Sequence, residues 1–143
     1  MKIPVLRLDF ALPLPKHQQE GDAGVDLHIR EDTKIGPGRW ELVPTGVAIA
    51  IPEGYVGLVA PRSGLALRSG IGVVNGPGVV DSGYRGELKV ILINHGPEEV
   101  MLERGERIAQ LVVVPAAEVE FEEVDELPES GRGDGGFGST GSR

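Results

Sequence analysis

Apolar and β-branched residues gather along this chain in short clusters, punctuated by glycine and proline, with no sustained helical period. The clusters fall at 3–9, 25–29, 40–51, 55–60, 71–74, 86–93, 100–102 and 108–114. Runs of this length between turn formers predict strands, and their number and spacing predict an all-β sandwich, jelly roll or barrel. One helix of a turn or two is expected at 63–68, with Ser63 suited as its N-cap and Gly70 ending it. Val119 and Phe121 alternate with Glu118, Glu120 and Glu122, the pattern of a half-buried edge strand. From 128 onward the chain is rich in glycine and serine and nearly devoid of apolar side chains. Such a segment cannot offset an ordering cost of roughly 1–2 kcal/mol per residue. The expected organisation is one β domain at 1–127 with a single short helix, followed by a flexible glycine-rich arm at 128–143.

A length of 143 residues suits one self-sufficient core. The net charge of −8 argues against broad nucleic-acid binding, which needs a basic surface. It leaves room for a compact anionic ligand, because a few arginines make a pocket locally positive on an acidic protein. Much of the acidity lies in 118–129. With no cysteine, disulfides and thiolate metal sites are excluded. His17, His28 and His95 are scattered and show no zinc spacing. No apolar run is long enough to cross a bilayer, and the N-terminus, with Arg7 and Asp9 among its apolar residues, does not resemble a secretory signal. The expectation is a soluble, cytoplasmic protein with no membrane partner.

The richest chemistry lies in Asn75-Gly-Pro-Gly-Val-Val-Asp81-Ser-Gly-Tyr84-Arg85-Gly-Glu87-Leu88, which runs into a strongly β-prone stretch. It reads as a β-hairpin bent at Ser82-Gly83. A carboxylate and an aromatic ring at such a tip can hold a small polar ring and act on a bond beside it. Locally, Asp81 also reads as a turn former, Asn75 as part of an Asn-Gly turn and Tyr84 as a packing aromatic. In Pro61-Arg62-Ser63-Gly64 a strand gives way to a helix. The first N–H groups of a helix favour anions, Arg62 offers a planar fork for phosphate oxygens and Ser63 a hydroxyl. An ordinary capped turn fits the same four residues. Asp26 and Gln110 fall on apolar strands, where polar side chains need partners, and Gln110 also reads as a satisfied core amide.

Taken in order, five segments resemble the motifs of the trimeric dUTP pyrophosphatases, or dUTPases. Ala23-Gly-Val-Asp26-Leu27 resembles the first motif and Pro61-Arg62-Ser63-Gly64-Leu65-Ala66 the second. Gly78-Val-Val-Asp81-Ser-Gly-Tyr84-Arg-Gly-Glu87 resembles the third and Gly105-Glu-Arg107-Ile-Ala-Gln110-Leu111 the fourth. Arg132-Gly-Asp-Gly-Gly-Phe137-Gly-Ser139-Thr140-Gly141 resembles the fifth. The match runs from about residue 20 to the C-terminus. One departure is Val25, where many members carry tyrosine.

The resemblance implies a distorted, barrel-like jelly roll. It implies hydrolysis of dUTP to dUMP and pyrophosphate by water attack at the α-phosphorus. That reaction keeps uracil out of DNA and supplies dUMP for thymidylate synthesis. Asp81 would be the base that activates water and would also bond the 3′-hydroxyl. Gln110 would meet the α-phosphate or the attacking water, and Asp26 would orient metal-bound water or shape the sugar site. Arg62, Ser63 and Gly64 would bind phosphates. Backbone groups of Val79, Val80, Asp81 and Lys89 would read the uracil edge, with Asn75 supporting that pocket. Tyr84 would lie against the deoxyribose and leave no room for a 2′-hydroxyl, and Arg85 would either form salt bridges within the trimer or brace the hairpin, the second being favoured. In the arm, Arg132 would meet the γ-phosphate, Phe137 would stack on the base, Gly138 would allow close approach, and Ser139 and Thr140 would add hydroxyls. Mg²⁺ is the implied cofactor, held mainly by substrate phosphates and waters, with Asp26 reaching it through water. The implied assembly is a homotrimer with sites shared between subunits. The first, second and fourth motifs come from one chain, the hairpin from a second and the arm from a third. A dCTP deaminase of the same fold, or a non-catalytic nucleotide-binding trimer, are the alternatives. Asp81, Arg132, Phe137 and the complete fifth motif favour the hydrolase.

Overall fold

The computed structural model describes residues 1–136. In these the chain forms β1 (Val5–Arg7), β2 (Gly24–His28), β3 (Thr33–Ile35), β4 (Trp40–Ile49), β5 (Tyr55–Pro61), α1 (Ser63–Ser69), β6 (Ile71–Val73), β7 (Gly78–Val80), β8 (Glu87–Asn94), β9 (Val100–Leu102) and β10 (Arg107–Pro115). Two four-stranded sheets, ordered β1-β4-β8-β6 and β2-β10-β5-β7, are accompanied by a β3-β9 ribbon, and no sheet closes into a barrel. The described pairings are antiparallel. This is the all-β, jelly-roll-like architecture that the strand pattern implies. No helix among the described residues is long and apolar enough to cross a membrane.

The period of two along each strand builds the core. On β8 the side chains of Leu88, Val90, Leu92 and Asn94 are buried, while those between them are less so. Leu88, Val90 and Leu92 join Val43 and Val47 of β4, Val59 of β5 and Leu111 of β10 in one cluster drawn from both sheets. Each such side chain contributes about 1.5–3 kcal/mol through burial. Asn94, fully buried, is satisfied on both sides of its amide. Its Nδ2 donates to the carbonyls of Ile35 (2.8 Å) and Glu98 (2.7 Å), and its Oδ1 accepts from Gly96 N–H (2.8 Å). That triple contact fastens the β3-β9 ribbon to the first sheet.

An ion-pair chain holds the N-terminal segment down. Asp9 accepts from Arg104 at 2.6 and 2.8 Å and lies 3.5 Å from Arg30. Arg30 reaches Glu87 at 3.4 Å, and Glu87 accepts from Gly46 N–H at 2.8 Å. The Arg104 hydrogen bonds, helped by Ala11 N–H and the two guanidinium charges and opposed by burial, lower the Asp9 pKa to about 2.

Four expectations need correction. The segment at 75–88 is not a hairpin. β7 pairs with β5 and β8 pairs with β4 and β6, so the loop between them crosses from one sheet to the other. Val80 and Leu88 both enter the core, each as part of a different sheet. Ser63 is not the N-cap, because the helix already begins there. Arg62 takes the cap position with extended backbone (φ −92°, ψ 126°) and no side-chain cap bond. Gly70 does end the helix, at φ 67°. The alternating stretch at 118–122 forms no strand within this chain, and Phe121 is 94% exposed. Finally, β3 lies outside the expected apolar clusters, and β7 is a strand of the second sheet and not the arm of a hairpin with β8.

Candidate functional site

The crossing loop shapes a cavity of about 320 Å³ against the inner strands. Asn75, Val79, Val80, Asp81, Tyr84 and Lys89 all border it, alongside apolar residues such as Leu88 and Val90. Its form is set by backbone contacts. Tyr84 N–H donates to the Asp81 carbonyl at 3.1 Å, closing a tight turn. The Tyr84 Oη–H donates to the Glu87 carbonyl at 2.9 Å. Arg85 Nη1 donates to the carbonyls of Ser82 (2.6 Å) and Tyr84 (2.8 Å), the bracing expected of it. Asp81 is exposed and also borders a neighbouring pocket beside Tyr55 and Ala116. Gly78 leaves room for Asn75, whose Nδ2 would sit 3.3 Å from any Cβ there.

A second cavity, of about 390 Å³, opens where β5 runs into α1. Asp26, Arg62, Ser63, Gly64, Arg107 and Gln110 border it. Asp26 is only 9% exposed. Its Oδ1 accepts from Arg62 Nε at 2.8 Å and its Oδ2 from Arg107 Nη1 at 3.2 Å. Two guanidiniums, Arg62 and Arg107, face this cavity together with two carboxylates, Asp26 and Asp22, so its formal charges balance and the arginines are its only cationic donors. Arg62 also donates to the Arg107 carbonyl at 3.2 Å, so its fork is held firmly. Gln110 Nε2 donates to the Pro61 carbonyl at 2.9 Å, and Gly24 leaves the space its Oε1 occupies. Nearby His28 has its pKa lowered, by burial first and by the charges of Arg107 and Arg62, against the pull of Asp26.

The two cavities share no bordering residue. Strand β5 explains their separation. Val80 lies opposite Gly57, while Ala109 lies opposite Pro61 at the far end. Four steps of about 3.3 Å separate those positions by about 13 Å. The structure therefore gathers the expected side chains into two groups and keeps the groups apart. Arg132 joins neither; its Nε donates to the Gly135 carbonyl at 2.6 Å. Phe137, Gly138, Ser139 and Thr140 lie outside the described residues. Arg107 was missed as a site residue. It stands in the fourth motif, but its role depends on Asp26, 81 positions away.

The donor set also bears on the metal. No group of three His, Cys, Asp or Glu side chains clusters among the described residues. The buried carboxylate of Asp26 at the second cavity has both oxygens engaged by arginines. These residues fit a cation that arrives with a polyphosphate and its waters, and they form no cage of their own.

The dUTPase family model matches residues 11–141. The deoxyuridine 5′-triphosphate nucleotidohydrolase of Corynebacterium glutamicum is 59% identical over 140 residues, covering 97% of this chain and 94% of that protein. The Staphylococcus bacteriophage 80alpha dUTPase with dUPNHPP superposes with a TM-score of 0.91 at 31% identity, covering 98% of each chain. A variant dUTPase of S. aureus phage phi11, described with a structural Mg(II) ion, superposes at 0.81 with 27% identity, covering 88% of this chain and 98% of that one.

Proposed function

The chain belongs to the dUTPase family and hydrolyses dUTP to dUMP, and we propose that it does so by attack of an Asp81-activated water on the α-phosphorus. The water oxygen forms the new bond to phosphorus, its proton passes to Asp81, and the bond to the α–β bridging oxygen breaks to release pyrophosphate. Positioned base catalysis of this kind contributes about 10²–10⁴-fold. The loop cavity takes uracil and deoxyribose. Backbone groups of Val79, Val80, Asp81 and Lys89 face the base edge, with Asn75 behind them. Cytosine leaves a buried group unpaired there, at about 1–3 kcal/mol. The methyl of thymine strikes the loop. Tyr84 lies against the sugar, where a 2′-hydroxyl would clash.

Arg62, Ser63 and Gly64 grip the phosphates in the second cavity, and Gln110 meets the α-phosphate or the water. Asp26 acts by aiming Arg62. Mg²⁺, carried in on the triphosphate with its waters, neutralises phosphate charge when bound. The observation that carries this reading is the division of the site residues between opposite ends of β5. Along β5 the loop cavity reaches as far as Val59, while the phosphate-gripping residues begin at Arg62, just past the end of the strand. A closed homotrimer brings the loop of one chain to the arginine-bearing cavity of the next. The arm at 128–143 of a third chain then closes over the nucleotide with Arg132, Phe137, Gly138, Ser139 and Thr140, while 1–127 forms the trimer body. The expected compartment is the cytoplasm.

Mixing subunits tests the shared site. Asp81→Asn and Arg62→Ala chains should each be inactive alone and regain pyrophosphate release from dUTP when refolded together. No recovery in verified mixed trimers would place both residues in one chain's site. A panel of dUTP, dTTP, dCTP and UTP, with and without Mg²⁺, checks specificity, and ammonia release from dCTP would reveal a deaminase.

A further inference from the structure

We propose that Gly86, together with the Glu87 carbonyl, is the positioning element that sets sugar specificity, because it leaves the space in which the Tyr84 ring lies. The inference rests on the reading of Tyr84 as the group that excludes a 2′-hydroxyl. A Cβ built on Gly86 would lie 2.5 Å from Tyr84 Oη, 2.7 Å from its Cζ and 3.2 Å from its Cε2. Two of those separations are shorter than any stable contact between such atoms. The phenol therefore lies across the bare backbone of residue 86, with its hydroxyl fastened 2.9 Å away on the next carbonyl.

The glycine is present for space and not for backbone conformation. Gly70 and Gly105 have positive φ, but Gly86 does not, so an alanine backbone fits there. What an alanine would displace is also clear. The conflicting atoms are the far end of a side chain that is 45% exposed, so the ring swings outward and the loop stays in place. Gly83, three residues earlier in the same loop, offers an internal comparison. A Cβ there meets nothing within 4 Å. The two glycines thus separate a general loosening of the loop from displacement of the ring. Base reading depends on backbone at 79–81 and on residue 89, so discrimination against thymine is untouched by the swing.

The test uses full-length Gly86→Ala, Gly83→Ala, Tyr84→Ala and Tyr84→Phe proteins and compares kcat/KM for dUTP, UTP and dTTP. Gly86→Ala should lower the dUTP-over-UTP ratio by about tenfold, the scale on which one group in a shaped pocket discriminates. The dUTP-over-dTTP ratio should hold, and Gly83→Ala should keep both ratios. Tyr84→Ala should relax the sugar ratio at least as far. If Tyr84→Ala leaves that ratio intact, Tyr84 does not face the sugar and the premise fails. If Tyr84→Ala relaxes it while folded Gly86→Ala does not, the premise stands and the role of Gly86 is overturned. Should Gly86→Ala fail to fold, Tyr84→Phe decides. Loss of the hydroxyl anchor must lower the sugar ratio, and a wild-type ratio there would overturn the proposal.

Discussion

The two cavities of this molecule are held in shape by different physics. Around the loop cavity, side chains are pinned to backbone carbonyls: Tyr84 to Glu87, and Arg85 to Ser82 and Tyr84. Around the second cavity, side chains are pinned to one another through a buried charge, Asp26 between Arg62 and Arg107. A backbone frame is rigid and indifferent to salt, which suits reading the outline of a base and a sugar. An arginine pair aimed by one carboxylate supplies directed charge, which suits a polyphosphate. Discrimination and grip are thus built separately. Charge supports the loop side only indirectly, through the chain from Asp9 and Arg30 to Glu87.

The strongest way to break this contrast is to change the one loop side chain placed in the chemistry. Asp81→Asn should lower kcat by about 10²–10⁴-fold while dUTP still binds. Normal turnover in that variant would remove Asp81 from the mechanism. Deleting the residues after Ser130 should also nearly abolish turnover without lowering Tm, and an active truncated protein would dismiss the arm.

Smaller effects sharpen the division. Asp26→Asn releases the Arg62 fork, and losing a charge-assisted hydrogen bond of about 1.5–3 kcal/mol should raise KM for dUTP by at least about tenfold. Binding of deoxyuridine, which lacks phosphates, should not change; a parallel loss there would show that the two halves are coupled. Added salt should likewise weaken dUTP binding and spare deoxyuridine, as titration calorimetry would report. The smallest effect is in acid. The Asp9 carboxyl sits at about 2 in the folded protein against an ordinary 3.8. Its contribution is complete above about pH 4 and is lost as pH falls through about 2. Asp9→Asn should flatten the decline of Tm across that window, and an unchanged acid profile would show the tie to be inert.

The comparison also shows what the sequence made legible. Eight of the strands follow from clusters of apolar residues, because burial of alternate side chains writes a period of two. The five motif segments mark where the proposed chemistry sits. Which strand pairs with which was not legible at 75–88. A turn-rich stretch between two β-prone runs reads as a hairpin whether the runs pair with each other or join different sheets. The local text around Val80 and Leu88 is the same in both cases. The partners of Asp26 were equally hidden, since the need for a partner is local and its identity, Arg107, is not. Arg62 was read as a phosphate fork and Ser63 as a cap. The structure gives Arg62 the cap position and turns its side chain to Asp26.

Strand β5 connects the two physics by serving as the spacer between them. In the proposed trimer the reach from nucleobase to phosphate would be a property of the assembled ring and of no single subunit. A drift in the subunit angle would misplace the attacking solvent while leaving every individual fold unblemished. In such a machine, catalytic decay precedes unfolding whenever the seams between copies loosen.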